Sequence, residues 1–248
     1  MTTMSPSDEA RRQLLIQALF GAILGAALLE NEAAAADAFG GRPSKLPPGQ
    51  SIYRISGKVL VNGSACDAST RIAANDTIET APGSELVFVV GDNAMLLRGG
   101  SRVTLEGGAG TVALAGVKVL TGKLLSVFPT GQAKRITTAT ASIGIVGTGV
   151  YLEADPEQTY FCTCYGVSEV GALKDPQSRE TVAASHHDRP LYIVAGGQAG
   201  RNIRNAPFIN HTDQELMMIE ALVGRTPPFN FPGSQYNTPR PRGTTYGK

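Results

Sequence analysis

The stretch from Arg135 to Val170, RITTATASIGIVGTGVYLEADPEQTYFCTCYGVSEV, decides the fold. Its β-branched residues pause only at Gly147-Thr148-Gly149, continue to Asp155-Pro156, and resume from Thr159. β-Branched side chains favour extended strands, whereas Asp-Pro favours a turn. The stretch therefore predicts two extended segments joined by a turn, and the second segment carries Cys162-Thr163-Cys164.

The chain before this stretch also consists of short apolar segments separated by turn signals. Its turn signals are Asn62-Gly63, Pro82-Gly83, Gly99-Gly100, Gly107-Gly108 and Thr121-Gly122. They separate short apolar segments at a spacing of about ten residues, which is typical of all-β proteins. We therefore predict an all-β fold, a twisted solenoid-like or sandwich-like module of many short strands. It spans residues 51–205, with a further hairpin appended after Val170.

The first 38 residues have the pattern of an export signal. Arg11-Arg12 precede an apolar run from Leu14 to Leu29, and Ala36-Asp37-Ala38 follows as a cleavage pattern. The run is shorter than the roughly 20 residues of a bilayer-spanning helix, which favours cleavage over a retained membrane anchor. The paired arginines resemble a twin-arginine signal, although Ala10 stands where Ser or Thr is usual. We expect a periplasmic protein that meets the membrane only through an uncleaved signal.

The remaining segments are short. Residues 39–50 are rich in Gly and Pro and are typical of a linker. Within residues 206–224, Thr212 and Glu215 form a capping-box pattern ahead of an apolar stripe, which predicts a helix over 213–223. Residues 225–248 are again rich in Pro and Gly, which predicts a tail that is disordered or lies along the surface.

Several motifs between residues 52 and 170 resemble the FecR domain family. They occur in the order Gly57-Lys58-Val59, Asp76–Thr80, Leu120–Leu124, Ile143–Val150 and Gly166–Val170. The resemblance implies an extracytoplasmic all-β module in which short strands stack on their neighbours. Regulatory members of the family pass an iron–siderophore signal to a cytoplasmic sigma factor. Only about ten residues precede the apolar run here. We therefore expect the fold and the compartment to carry over, but not the anti-sigma role.

The residues that could carry chemistry lie close together in sequence. Cys162 and Cys164 alternate along a predicted strand, so their side chains face the same way as Tyr160 and away from Phe161. His186 and His187 follow, and thiolate and imidazole ligands suit iron, copper or zinc, or an iron–sulfur centre. We predict a metal site at Cys162, Cys164, His186 and His187.

Other interpretations of these residues stay open. Neighbouring histidines can reach one metal only if the backbone bends or bulges, and His211 either adds a ligand or lies beside the helix cap. The cysteines could form a disulfide, although same-face residues on a strand lie about 6.5–7 Å apart at Cα. They could also be buried small apolar residues, and we expect Cys66, which lies unpaired near a turn, to be structural. Thiols within about 4 Å of an imidazole nitrogen would favour the metal.

Two functions fit these observations. One is a binding or sensing module, with or without a metal response, that recognises an envelope protein or a small ligand. The other is a metalloprotein for redox chemistry or electron transfer. The net charge of +1 argues against a nucleic-acid partner. We find no Gly-x-Ser-x-Gly motif and no local signature for a cysteine nucleophile, so an enzyme is not expected.

Overall fold

The computed structural model describes residues 43–108 and 110–229. The predicted export signal and residues 230–248 of the predicted tail lie outside these ranges. The described chain is an open β-sheet of many short strands with one short helix, which confirms the all-β prediction. No helix within the two ranges is both long enough and apolar enough to cross a bilayer.

Within the described residues, fourteen strands form one sheet, in which every pairing is antiparallel except that of β8 with β9. The strands are β1 Ile52–Ser56, β2 Val59–Val61, β3 Ser64–Ala65, β4 Thr77–Thr80, β5 Glu85–Val90, β6 Asn93–Arg98, β7 Arg102–Gly107, β8 Leu114–Val127, β9 Ala133–Thr137, β10 Ala141–Ala154, β11 Gln158–Ala172, β12 Asp175–Ala184, β13 Leu191–Val194 and β14 Ile203–Asn205. The helix α1 is Asp213–Leu222.

Three long strands, β8, β10 and β11, hold the sheet together because each of them pairs with different strands along its length. The first part of β10 pairs with β9 and its second part pairs with β8. The change falls at Gly147, whose φ of 63° is accessible to glycine, and a Cβ there would lie 2.6 Å from the Thr130 side chain. The glycines around Thr148 therefore bend a continuous strand. Thr121-Gly122, predicted as a turn, likewise lies inside β8.

The predicted hairpin after Val170 has a different arrangement. Strand β12 pairs with the second half of β11, and β13 pairs with its first four residues. The two strands are thus both partners of β11 and do not form a hairpin with each other. β11 is 15 residues long and bends at Gly166, where φ is 89°, and a different strand pairs with each of its halves.

The two faces of the sheet contribute to two different cores. The first core is aliphatic and aromatic and includes Leu86, Phe88, Leu97, Leu124, Ile143 and Phe161. The second core joins the opposite face to the end of the chain and includes Leu96, Leu125, Tyr151, Tyr160, Cys162, Cys164, Tyr165, Phe208, Leu216, Ile219 and Leu222. Cys162 and Cys164 share a core with Tyr160 while Phe161 lies in the other, which confirms the predicted alternation along β11.

Helix α1 covers the second core as its sequence predicts. Thr212 is the N-cap, and it forms a reciprocal capping box with Glu215. Leu216, Ile219 and Leu222 are buried. The end of the predicted linker also packs here, because the Leu46 backbone N–H donates to the Leu222 carbonyl at 3.0 Å.

Candidate metal centre

Four metal-ligating side chains meet in the second core. They are Cys162, Cys164, His187 and His211, and their ligand atoms all lie within 4.8 Å of one another. Both cysteines and His187 are fully buried, and His211 is 3% exposed. Buried cysteines are common, but two imidazoles buried against two thiols in an otherwise apolar core are not explained by packing alone.

Three separate segments bring these side chains together. Alternation along β11 directs both cysteines to the same face. His187 follows β12 with a φ of 54°, and its backbone N–H donates to the Cys164 carbonyl at 2.9 Å. His211 lies immediately before the helix N-cap, and its ring stacks on Tyr151 with a centroid distance of 4.4 Å. Each ligand therefore has its own anchor.

Two of the separations between ligand atoms match the edges of a tetrahedral site. Cys162 Sγ lies 3.5 Å from His187 Nδ1, and that nitrogen lies 3.1 Å from His211 Nε2. Metal bonds of about 2.0 Å to nitrogen and about 2.3 Å to sulfur give tetrahedral edges of about 3.5 Å for N–S and about 3.3 Å for N–N. The observed separations lie within about 0.2 Å of these edges.

The hydrogen bonds of the outer ring nitrogens show where the protons lie on His187 and His211. His211 Nδ1 is 2.7 Å from the Ile209 carbonyl, and His187 Nε2 is 2.9 Å from Asp213 Oδ1. Carbonyl and carboxylate oxygens only accept, so both outer nitrogens carry a proton. In neutral rings, His187 Nδ1 and His211 Nε2 then present lone pairs to each other. A cation, either a proton or a metal ion, resolves this buried contact.

The protonation of the ligand groups follows from their contacts. Burial alone would raise the pKa of Cys162, but hydrogen bonds from Cys164 and His187 and the charge of His211 lower it well below its ordinary value. Burial and the neighbouring Cys162 raise the pKa of Cys164. For His187, burial is outweighed by Asp213 and Cys162, so its pKa is raised. The metal-free site thus favours one thiolate beside one thiol.

Asp213 connects the buried ligands to the surface. Its Oδ1 accepts from His187 Nε2 at 2.9 Å and from His186 Nε2 at 3.0 Å. Burial would raise the pKa of this carboxyl, but the two histidines hold it far below its usual range. Because the carboxylate orients the His187 ring, it defines which nitrogen faces the thiols.

The predicted ligands are distributed as follows. The structure brings Cys162, Cys164 and His187 together, and it adds His211. His186, also predicted as a ligand, points its Nε2 to Asp213 on the outer side of His187. Sequence reasoning missed Asp213, whose signal is an acidic residue in the first turn of a helix that follows a histidine. Asp188 accepts from the backbone N–H groups of Ser185 and His186.

The structure distinguishes between the metal, disulfide and inert-core alternatives for the two cysteines. Cys162, Cys164 and Cys66 are all free thiols, so no disulfide links them. Cys162 Sγ contacts an imidazole nitrogen at 3.5 Å, which is within the distance expected for a metal site and is not typical of an inert core residue.

Comparisons with known proteins identify no family. No family model matches the chain, and no curated protein matches it. Two solved structures do match, both described as a "putative anti-sigma factor from Parabacteroides distasonis ATCC 8503", at 1.65 and 2.50 Å resolution. They are 14% and 15% identical with a TM-score of 0.42, over 52% of this chain and 58% of theirs. The chain therefore matches little more than half their length, and the FecR resemblance stays a prediction.

Proposed function

We propose that this chain is a metal-binding β module in which Cys162, Cys164, His187 and His211 hold one transition-metal ion. The observation that carries the proposal is the 3.1 Å contact between His187 Nδ1 and His211 Nε2, whose rings both donate through their other nitrogen. A metal ion replaces two opposed lone pairs with two bonds. The adjacent thiols complete a tetrahedral set.

The ligand set favours particular metals. Two thiolates and two imidazoles in a tetrahedron suit zinc, and they also suit copper. A two-iron cluster with the same ligands holds the cysteines on one iron and the histidines on the other. Here all four ligand atoms lie within 4.8 Å of one another, which suits a single ion better than such a cluster.

The burial of the site limits what the metal does. Four protein ligands fill a tetrahedron, so no position is left for water or substrate. Such a site stabilises a fold or transfers electrons, and it does not activate water. Because the ligands join β11 to the segment before α1, the ion would also fix the helix on the sheet, which supports a metal-responsive module.

A cysteine nucleophile is the second candidate, because Cys162, His187 and Asp213 form a chain of contacts of 3.5 and 2.9 Å. Such a chain is the arrangement of nucleophile, base and orienting carboxylate in cysteine hydrolases. Cys162 is fully buried, however, and a nucleophile must reach its substrate. The pocket of about 510 Å³ beside Tyr165 and Glu220 is lined by other residues. Burial therefore favours the metal.

The compartment and the partner belong to the same proposal and rest on the sequence. Export through residues 1–38 would place the module in the periplasm. There an envelope protein or small ligand could distinguish its metal-bound form from its metal-free form. Fractionation of cells that produce the full chain tests this. The processed protein should be released with the periplasmic fraction, and retention in the cytoplasm would contradict it.

The metal itself is tested by adding Co²⁺ to the chelator-treated full chain. We expect thiolate-to-cobalt charge-transfer absorption, which requires sulfur ligands. Cys162→Ser should remove the absorption, and His211→Gln should weaken binding. Cys66→Ser is the matched control, since this third cysteine lies outside the cluster, and it should behave like the wild type. Unchanged absorption in Cys162→Ser, or none in the wild type, would reject the proposal.

A further inference from the structure

We infer a second metal site, formed by His186, His187 and Asp213, in which the His187 ring bridges two metal ions. The inference rests on the proposed buried site, because one nitrogen of the bridging ring belongs to that site. The three ligand atoms of the outer group lie within 4.8 Å of one another. It is a mixed histidine and carboxylate set, which suits a divalent transition metal.

The distances in this outer group fit a metal with open positions. Asp213 Oδ1 lies 3.0 Å from His186 Nε2 and 2.9 Å from His187 Nε2. Bonds of about 2.1 Å at right angles place neighbouring ligand atoms about 3.0 Å apart. Two histidines and one carboxylate on one side of an ion leave its other side open for water or a small anion.

The backbone conformation at His187 allows both histidine rings to reach Asp213. Consecutive residues of a regular strand point to opposite faces, so His186 and His187 would normally diverge. The φ of 54° at His187 turns the chain, and both rings then reach the same oxygen of Asp213. Residues other than glycine adopt a positive φ at an energetic cost. Such strained residues are typically found at functional sites.

The charges of the ligands themselves can balance two ions. A dipositive ion with two thiolates and two neutral imidazoles has no net charge, which leaves the Asp213 carboxylate unbalanced by that ion. When a second dipositive ion binds, the Nε2 proton of His187 passes to solvent and the ring becomes an imidazolate. The imidazolate and the carboxylate together balance the second ion. The complete assembly is then neutral, as a partly buried site requires.

Exposure distinguishes the two ions. The His186 side chain is 26% exposed and that of Asp213 is 17% exposed, whereas the ligands of the inner site are buried. The ring of Phe229 lies 4.6 Å from the His186 ring. The inner ion is therefore enclosed, whereas the outer ion can exchange with solvent and bind a small anion.

Co²⁺ titration of the metal-free full chain tests the second site. We expect two bound equivalents after removal of free metal, with thiolate charge-transfer absorption complete after the tighter one. His186→Ala should reduce the stoichiometry from two to one and leave the thiolate absorption intact. That absorption also shows that the variant is folded, because it requires the assembled inner site. Cys66→Ser should retain both equivalents.

The outcomes separate the two proposals. One equivalent with full thiolate absorption in both wild type and His186→Ala overturns the second site and leaves the first. Two equivalents in both proteins also overturn it, because the second ion then lies elsewhere. No thiolate absorption overturns the buried site and the bridge together. As a further check, Cu²⁺ in the outer site should show magnetic coupling to Co²⁺ in the inner one, and uncoupled signals would exclude the bridge.

Discussion

The two cores of this protein are built on opposite faces of one sheet, yet they differ in composition. The first core is a cluster of aliphatic and aromatic side chains, and the polar groups buried beside it include Lys134 and the hydroxyls of Thr138 and Thr159. The second core contains two thiols and three phenols, and His187, His211 and Glu220 are buried beside it. The polar groups beside the first core bond to one another or to backbone carbonyls, whereas the second core brings thiols and imidazoles into contact with one another. Stability and chemistry are thereby assigned to different faces.

The largest expected effect is in the first core. Phe88 is fully buried there, and Phe88→Ala should lower the free energy of unfolding by about 3–5 kcal/mol. The loss should be the same with metal and with chelator, because Phe88 lies outside the metal cluster. Chemical denaturation under both conditions measures it. A loss that depends on metal would show that the two cores are coupled.

Metal removal should have the next largest effect, and it acts on the second core. An ion present at 100 to 1,000 times its dissociation constant stabilises the folded state by about 2.7–4.1 kcal/mol. A chelator should therefore lower the unfolding midpoint of the wild type and of Cys66→Ser. Cys162→Ser should not respond to the chelator. Equal responses of all three proteins would remove the distinction between the cores.

Replacing the carboxylate that orients His187 should weaken the inner site without abolishing it. In Asp213→Asn the hydrogen bond to His187 Nε2 is no longer charge-assisted. We expect the metal affinity of the thiolate site to fall about 10–100-fold, as is usual when the partner of a ligating histidine changes. Competition with a metal indicator measures this. An unchanged affinity would mean that the turn at His187 positions the ring unaided.

Metal affinity should also depend on pH. Cys164 has a raised pKa in the metal-free protein, because of burial and the neighbouring Cys162, so it holds a proton at neutral pH. Metal binding removes that proton and the proton that lies between His187 and His211, so affinity should fall as pH falls, by about tenfold per unit for each proton released. Calorimetry in buffers of different ionisation enthalpy counts the protons. A count of zero near neutral pH contradicts the assigned state of Cys164.

The smallest expected effect concerns the helix cap, which lies between His211 and Asp213. Thr212 accepts from the Glu215 backbone N–H, and Thr212→Ala should cost about 1 kcal/mol. If the second core depends on the docked helix, the loss should be accompanied by weaker metal binding. Thermal unfolding and the Co²⁺ titration together measure both. A stability loss without any change in affinity would show that the His211 stack on Tyr151 alone holds that ligand.

Local signals made much of the fold predictable. The turn at Asp155-Pro156, the alternation of Cys162 and Cys164, and the capped helix all depend on residues close in sequence, and the structure shows each of them. The pairing of β12 and β13 with different halves of β11 was not predictable, because it depends on where a long strand bends. Gly166 marks that bend, but one glycine does not reveal which strand will pair there.

The candidate site was harder to predict than the fold. The alternation of side chains along a strand predicts that His186 and His187 would not both reach the thiols, but it does not predict which of them would. That outcome depends on the positive φ at His187, which Gly or Asn would have signalled more strongly than histidine does. The roles of His211 and Asp213 depend on where α1 docks, which is a contact between distant parts of the chain.

The positions of the four ligands also determine when the site can exist. Cys162 and His187 are 25 residues apart, and His187 and His211 are separated by another 24. An unfolded chain therefore offers a metal little more than the two neighbouring thiols. The complete set forms only after the last strands and the helix have docked. Under the proposed function, the identity of a bound ion would reflect the metals available where and when folding finished, rather than those present during synthesis.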